Sequence, residues 1–423
     1  MIRQLLCAFV IAIFSASTLF AAEWTVFHGP KGDNKSPDTG LMTEWQEGGP
    51  ELLWVADFLG FGFSGVTIAD GAIFTSGSVY RDGELLSMVF RLDMDGNLIW
   101  ERNNGPAHRN PHPGTRGTPT IDGDRAYDVS VLGRVVCFNV ETGEEIWSRN
   151  PMADYNAQKP RHFPGHSTVV IDDKLICLVG GSTTLAVALN KWTGETIWKA
   201  DPVFAPLTGP AGAPIGYATP YVFDFEGTRI IGVVSSGTVE GLDAETGRTL
   251  FSVTLETPRG TNVPLPIFRD GYLFVATSYD LGAKGFRLTK NANGIITPTQ
   301  VWHAQQFQGL HRGFILVGDY IYGTTDRGEW GSVNLFTGEK GHWSRPIGEP
   351  ASIHYAEGLI YALSESSGTV ILWEPSPTEF IERGRFELPN EAPGNSWVHP
   401  VVIGGRLFLR HAQYLYCYDV KMR

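Results

Sequence analysis

The amino-acid sequence predicts an all-β protein, an eight-bladed β-propeller whose blades are four-stranded antiparallel sheets. Three observations support this fold: a short Thr-Gly phrase that returns along the chain, the regular spacing of the aromatic residue that ends it, and strand-turn-strand patterns between its copies. Charged residues make up only 18% of the 423 residues, and glycine occurs 50 times. Such a composition is typical of many short strands joined by tight turns.

The recurring phrase reads VETGEEIW from Val140 to Trp147 and NKWTGETIW from Asn190 to Trp198, with a looser copy from Leu242 to Phe251. Its glycine can adopt the positive φ that a tight hairpin turn requires. The aromatic residue at its end is large enough to fill a gap between neighbouring sheets. We therefore predict that these aromatics dock one blade against the next. They are Trp54, Trp100, Trp147, Trp198, Phe251, Trp302 and Trp343, with Phe386 as the least clear copy.

The aromatic residues recur every 40 to 55 residues or so, roughly the length of one four-stranded propeller blade. Between them lie alternating apolar strands joined by Asp-Gly or similar turns, as in VTIADGAIFTSG from Val66 to Gly77. This pattern is a strong hairpin signal. Because a propeller is one closed object, we predict a single propeller domain over residues 51–423. Its blades begin near residues 60, 115, 166, 217, 262, 311, 351 and 397.

The two ends of the propeller complement each other. Glu51 to Ala56 reads as a lone outer strand, while the last segment of the chain supplies three strands without a fourth. Pairing them hides two free sheet edges, which would otherwise promote aggregation. We therefore predict that the segment around Trp54 pairs with the strand that contains Tyr416 and closes the ring.

The first residues have the features of a secretory signal peptide. Arg3 is followed by an apolar run from Leu5 to Phe14 and by small residues up to Ala22. This run is too short for a membrane span. We predict a signal peptide over residues 1–22, a periplasmic or secreted mature chain with no transmembrane span, and an irregular arm over residues 23–50 that packs over one face.

The net charge narrows the possible partners, and the cysteine content indicates the state of the thiols. A net charge of −12 without any basic run argues against nucleic acid. Cys137, Cys177 and Cys417 are odd in number and far apart in sequence, so we expect buried thiols. A disulfide between Cys137 and Cys177 is the alternative. No feature indicates oligomerisation, and a monomer is expected.

The Thr-Gly phrases resemble the docking motif of the pyrroloquinoline-quinone-like repeat family, the quinoprotein-type β-propellers, whose signature is Ala-Leu-Asp-x-x-Thr-Gly-x-x-x-Trp. The segments that carry the resemblance are Asn139 to Trp147, Asn190 to Trp198 and Leu242 to Phe251. The whole chain is similar to secreted repeat proteins of planctomycete-like bacteria and to the propeller lipoprotein of the outer-membrane β-barrel assembly machinery. The resemblance implies a fold that dehydrogenases, scaffolds and receptors share, so it does not choose among these functions.

The enzymes of this family place a calcium-bound quinone between a vicinal disulfide and a tryptophan. This sequence has no adjacent cysteines and no Cys-x-x-Cys-His haem motif. We therefore predict no catalytic residue and no cofactor, with pyrroloquinoline quinone and calcium as the alternative. No metal site is predicted either: prolines interrupt the pairs His108/His112 and His162/His166, which excludes helical ligand spacing and leaves only a loop site as an alternative.

Polar residues precede the innermost strand of each predicted blade. Inner strands all run the same way along a propeller channel, so these residues converge on one mouth, where ligand sites of closed β folds tend to lie. A polar, merely solvated mouth is the simpler interpretation, and a site for an anionic or sugar-like ligand is the hypothesis that stays open beside it. The predicted residues are Ser64, Arg116, His166, Tyr217, Asn262, His311, Arg312, Trp397 and His399.

The sequence thus favours a non-catalytic scaffold outside the cytoplasm that binds a protein or a cell-envelope component through its face or channel mouth. The alternative is a quinoprotein-type alcohol dehydrogenase, or a small-ligand receptor, that uses the polar mouth.

Overall fold

Eight sheets follow one another along the chain, seven with four antiparallel strands and one with a fifth, parallel strand added by the N-terminal arm, which confirms the predicted fold class. The computed structural model describes residues 23–109, 112–157, 162, 164–203, 215–255, 257, 260–389 and 394–423. The predicted signal peptide lies outside these residues. A four-residue helix, Pro151–Asp154, follows the second sheet and is capped by the side chain of Asn150. None of the described helices is long and apolar enough to cross a membrane.

The first four sheets, blades 1 to 4, are continuous in sequence. Their strands are Thr67–Ala69, Ala72–Arg81, Glu84–Asp93 and Leu98–Pro106 in blade 1; Thr120–Asp122, Arg125–Val129, Val135–Asn139 and Glu145–Arg149 in blade 2; Val169–Ile171, Lys174–Leu178, Ala186–Asn190 and Thr196–Ala200 in blade 3; and Tyr221–Phe225, Thr228–Val234, Thr238–Asp243 and Thr249–Thr254 in blade 4.

Blades 5 to 8 repeat this plan, and blades 7 and 8 add strands from the N-terminal region. The strands are Ile267–Arg269, Tyr272–Ala276, Ala283–Lys290 and Ile296–Ala304 in blade 5; Phe314–Val317, Tyr320–Thr324, Trp330–Asn334 and Lys340–Ser344 in blade 6; Lys35–Ser36, Ala351–Ala356, Leu359–Ser364, Thr369–Glu374 and Ile381–Glu387 in blade 7; and Glu51–Ala56, Val401–Ile403, Arg406–His411 and Tyr414–Asp419 in blade 8.

The first strands of neighbouring blades contact one another, as between blades 1 and 2 and between blades 6 and 7. These strands therefore line the central channel. The core lies between the blades. Phe74 of blade 1, for example, shares a fully buried cluster with Val136 and Phe138 of blade 2. Removing apolar surface from water at about 25 cal/mol per Å² is what holds one sheet on the next.

The ring closes as predicted. Glu51–Ala56 pairs antiparallel with Tyr414–Asp419, with Trp54 opposite Cys417 and Val55 opposite Tyr416. The last blade thus takes its outer strand from the start of the propeller, and both free edges are hidden.

A side-chain cap explains the Thr-Gly turns. The Oδ1 of Asn139 accepts hydrogen bonds from the backbone N–H groups of Glu141 (3.0 Å) and Thr142 (2.9 Å), and Gly143 follows at φ 67°. Asn190, Asp243 and Asn334 make the same contacts in their own turns. A short polar side chain that replaces backbone partners, followed by a glycine with positive φ, makes a compact turn.

Each of five predicted docking aromatics lies on such a turn in the following blade. The indole N–H of Trp100 donates to the carbonyl oxygen of Val140 (2.9 Å), and a Cβ on Gly143 would lie 2.9 Å from the Trp100 ring. The turn glycine is therefore required both for its backbone conformation and for the closeness of the indole. The five residues are Trp54, Trp100, Trp147, Trp198 and Trp302.

Phe251 and Trp343 pack differently. Each covers a glycine in its own blade, Gly241 and Gly331 respectively, and the Trp343 indole donates to Ser332 of the same blade (3.0 Å). In blade 7 the least clear copy, Phe386, packs against Trp45 of the N-terminal arm, with 5.3 Å between the ring centroids.

The N-terminal arm enters the channel, which corrects the prediction that it only covers one face. Trp24 bridges antiparallel to Ile68 of blade 1, and the N–H of Ile121 in blade 2 donates to the carbonyl oxygen of Thr25 (2.8 Å). Lys35–Ser36 then runs parallel to the inner strand of blade 7. These opposite directions make residues 24–36 a loop inserted from the face opposite the predicted mouth.

All three described cysteines are buried free thiols. Cys137 and Cys177 pack in the same cluster between blades 2 and 3 without a disulfide. Burial raises the pKa of the Cys137 thiol to about 11. The expectation of buried thiols is confirmed, and the alternative disulfide is not formed.

Candidate functional site at the channel mouth

The tip of the inserted arm closes the channel below its mouth. Phe27 and His28 line a cavity of about 620 Å³ at the mouth, and His28 also lines a smaller cavity of about 270 Å³ on the other side of the arm. The tip is tightly packed, because Gly29 at φ 77° leaves no room for a Cβ against the ring of Trp24, which would lie 2.5 Å away. The mouth is therefore a pocket whose floor is formed by the tip of the arm.

Six of the nine predicted mouth residues line this pocket. The predicted set of mouth residues did not include several others that line the pocket. They are the aromatic Phe63, the histidines His112 and His162, and the acidic residues Asp326 and Glu365. Phe63 directly precedes Ser64, which was predicted. Asp326 and Glu365 follow the second strands of their blades, whereas the prediction considered only residues that precede inner strands. The six residues are Arg116, Tyr217, His311, Arg312, Trp397 and His399.

Ser64, His166 and Asn262 lie beneath the pocket wall and use their polar atoms within the blades. Ser64 accepts from the N–H of Ser76 (3.1 Å), and the Nε2 of His166 accepts from the N–H of Leu178 (3.2 Å). Asn262 donates to the carbonyl oxygens of Ser235 and Leu255. Burial lowers the pKa of His166 to about 4, so its imidazole is neutral at physiological pH. Their polar atoms are thus used inside the protein: Ser64 and His166 tie the loop before the inner strand to the second strand of the same blade, and Asn262 ties it to blade 4.

A stack of aromatic rings forms one wall. Trp397 lies between His311, at 4.3 Å and 15° between ring planes, and Phe63, at 4.6 Å and 27°. The guanidinium of Arg116 lies 5.9 Å from the Phe63 ring centroid. The Trp397 indole donates to the Oε1 of Glu365 (2.9 Å). Because both faces of Trp397 are covered, its side chain is fixed and the wall is rigid.

Next to this wall lies a basic end. Arg116 donates to the carbonyl oxygens of His112 (2.8 Å) and Gly114 (3.1 Å) and contacts the ring of His108. The His112 and His162 rings approach to 5.9 Å. Burial lowers the pKa of Arg116 to about 10, so the guanidinium keeps its charge at neutral pH in a poorly solvated place.

Two imidazoles at this end, those of His311 and His112, have lowered pKa values and are neutral at physiological pH. Burial and the charge of Arg312, followed by the nearby His112, His162 and Arg116, hold the pKa of His311 well below its usual range. Its Nδ1 is shielded from solvent and has no hydrogen-bond partner in the part of the chain that the structure describes. Burial and the charge of Arg116 also lower the pKa of His112.

Carboxylates also line the pocket, but they are already paired. Arg312 forms ion pairs with both Asp326 and Glu365, and Arg327 pairs with Asp280 (2.6 Å). The pocket thus combines N–H donors and two neutral imidazoles with carboxylates that are held in ion pairs.

The residues present do not fit a calcium-bound quinone. A calcium ion takes six to eight oxygen ligands, mostly from unpaired carboxylates and carbonyls, and the pocket's carboxylates are held by arginines. No group of three or more His, Cys, Asp or Glu side chains able to hold a metal occurs among the described residues. The free cysteines are buried within and between blades, so none forms a disulfide platform in this pocket.

The family model described as outer membrane protein assembly factor BamB matches residues 17–215 and again residues 133–381, well over half of the chain. The chain belongs to this family. The prediction that it is a pyrroloquinoline-quinone-like repeat propeller is confirmed. No curated protein matches the sequence.

Solved structures place the fold in the same group. BamB from Moraxella catarrhalis is 16% identical, with a TM-score of 0.59 over 88% of this chain and 99% of that one. Quinohemoprotein alcohol dehydrogenase from Comamonas testosteroni is 12% identical, with a TM-score of 0.62 over 96% and 82%. A europium-containing methanol dehydrogenase gives 0.55 at 10% identity over 92% and 89%. Identities this low establish the architecture and leave function to the site.

Proposed function

We propose that this protein is a non-catalytic scaffold outside the cytoplasm that holds a protein or cell-envelope partner at its channel mouth. The single observation that carries this proposal is the floored pocket of about 620 Å³ at the mouth. Its size and mixed aromatic and polar lining are those of a ligand site. A channel blocked by the arm cannot pass a ligand through, so the pocket receives one from the mouth face.

Two further features support binding without chemistry. The wall residues are immobilised by stacking and ion pairs, as in the sandwich of Trp397 between His311 and Phe63. The carboxylates that could act as bases, Asp326 and Glu365, are held in ion pairs by Arg312. The description of the matched family as an outer membrane protein assembly factor supports a partner in the cell envelope.

Capture experiments with matched variants test the proposal. The purified chain from residue 23 onward, immobilised through its C-terminus, is incubated with an envelope extract of the source cells. We expect His311→Ala, at the mouth, to reduce capture of the specific partner at least tenfold. Trp192→Ala removes a 48% exposed aromatic side chain from a turn on the opposite face and should leave capture unchanged. Equal capture by both variants would rule out the mouth as the binding surface.

Quinone-dependent alcohol oxidation is the second candidate, because quinohemoprotein alcohol dehydrogenases share the architecture. Its test is addition of pyrroloquinoline quinone and calcium to the purified protein, followed by thermal unfolding and dye-linked alcohol oxidation. Tight binding raises the apparent stability by mass action. An upward shift in melting temperature together with turnover would replace the scaffold proposal.

A further inference from the structure

We propose that the basic end of the mouth pocket binds an oxyanion, a carboxylate or phosphate group of the ligand, and that an imidazole takes up a proton as the anion binds. This inference deepens the proposed function, on which it rests, by naming the chemical group that the pocket recognises.

The donors for an oxyanion are already in place. Arg116 is anchored by the carbonyl oxygens of His112 and Gly114 and lies against Phe63, so its planar guanidinium is fixed at the pocket wall. Guanidinium groups bind carboxylate and phosphate with charge-assisted hydrogen bonds about twice as strong as neutral ones. A poorly solvated cation gains more from an anionic partner than one that is fully hydrated.

The imidazoles around it complete the site. His311 faces His112, His162, Arg116 and Arg312, and its Nδ1 is shielded from solvent without a hydrogen-bond partner among the residues described. The acidic groups on this side, Asp326 and Glu365, are bound to Arg312. His311 is thus a half-buried ring with a solvent-shielded Nδ1 and two guanidinium groups near it, and an unsatisfied shielded nitrogen of this kind is costly.

An incoming oxyanion reverses this electrostatic balance. A negative charge within hydrogen-bond reach of an imidazole favours the protonated form, so it raises the imidazole pKa. Burial of His311 and the charge of Arg312 hold that pKa low in the free protein, and binding therefore draws a proton from solvent. By linkage, one proton taken up makes the affinity rise about tenfold for each pH unit that the solution is lowered.

A neutral sugar fits this end less well than an anion. Sugar recognition relies on an open aromatic face, and both faces of Trp397 are covered by Phe63 and His311. What this end of the pocket presents instead is N–H groups and imidazole nitrogens. The pocket therefore selects for charge at this end.

Calorimetric titration of the purified protein tests the inference. The probes are D-glucuronate, inorganic phosphate and, as the neutral match, D-glucose, each at pH 7.5 and pH 6.5 in two buffers of different ionisation enthalpy. We expect at least one of the two anions to bind one site per chain, about tenfold tighter at pH 6.5 with uptake of one proton. Glucuronate and phosphate distinguish a carboxylate site from a phosphate site, and glucose should not bind.

Two variants test separately the role of the Arg116 guanidinium charge and the role of proton uptake by the His311 imidazole. His311→Phe keeps a ring against Trp397 and should leave anion binding that no longer strengthens at pH 6.5. Arg116→Gln should weaken binding at least tenfold at both pH values. Arg229→Gln, an exposed arginine paired with Asp224 on blade 4, is the control and should behave as wild type. If Arg116→Gln does not fold, the probe comparison and His311→Phe decide alone.

Failure to bind either anion, equal binding of glucose, pH-independent affinity, or unchanged pH dependence in His311→Phe would each overturn the oxyanion site. These results differ from failure of the scaffold proposal. If the envelope partner is still captured through the mouth but neither anion binds, the scaffold stands and only its chemical preference is wrong.

Discussion

A glycine-to-alanine substitution in one Thr-Gly turn measures how much the docking contact contributes. Gly194 has φ 75°, and a Cβ there would lie 2.7 Å from the Trp147 ring. Gly227 has φ 76°, but a Cβ there meets nothing within 4 Å. Left-handed backbone strain is therefore the same in both variants and costs an alanine about 1 to 2 kcal/mol. Only Gly194→Ala must also displace the Trp147 indole, whose N–H donates a 3.1 Å hydrogen bond to the backbone carbonyl oxygen of Lys191.

Overpacking of a tight contact typically costs about 1 to 3 kcal/mol. We thus expect the free energy of unfolding to fall by about 1 to 2 kcal/mol in Gly227→Ala and by about 2 to 5 kcal/mol in Gly194→Ala. Urea unfolding, monitored by tryptophan fluorescence, measures both changes in the free energy of unfolding. The dependence of that free energy on urea concentration should be the same in wild type and variants if unfolding stays one cooperative transition. Equal destabilisation by the two substitutions would refute the idea that the indole fixes the blade junction through this glycine.

Three further outcomes follow from buried groups and from ring closure. Burial lowers the pKa of His399 to about 4, so the folded state loses stability relative to the unfolded state as the pH falls below 6.5. From pH 6.5 to 4.5 the free energy of unfolding should drop about 2 kcal/mol more in wild type than in His399→Gln, and parallel pH profiles would contradict this. The thiol of Cys177 is buried and its pKa is raised by burial, so a thiol reagent should modify it only in denaturant, and rapid native labelling would be inconsistent with the structure. The Trp54 indole of blade 8 donates to the carbonyl oxygen of Met94 in blade 1 (2.9 Å), so Trp54→Ala should lower the free energy of unfolding in urea by about 3 to 5 kcal/mol. A loss below about 1 kcal/mol would mean that the junction is not packed as described.

Much of the fold is written in local patterns. The Asn139 cap and the Gly143 turn follow from residue chemistry at fixed spacing, and closure follows from the need to hide unpaired strand edges, with Val55 opposite Tyr416. The contacts of Phe251 with Gly241 and of Trp343 with Gly331 could not be predicted, because the docking motif does not specify which glycine of the same blade an aromatic ring covers.

The site was predictable only where it follows the repeat. Residues just before inner strands, such as His311 and Trp397, could be placed at the mouth because every inner strand runs the same way. The course of the arm depends on long-range pairing between Lys35 and Tyr355, which no local pattern encodes. For the same reason Phe27 and His28, the floor of the pocket, were out of reach of sequence reasoning.

Site-specific photo-crosslinking tests most directly whether the partner occupies the mouth pocket. The photoreactive amino acid p-benzoylphenylalanine is introduced in place of Phe63, which lines the pocket, and in a second protein in place of Trp192 on the opposite face. After irradiation in cells, the account predicts one discrete crosslinked product from position 63 and none from position 192. A product from position 192 alone would contradict it.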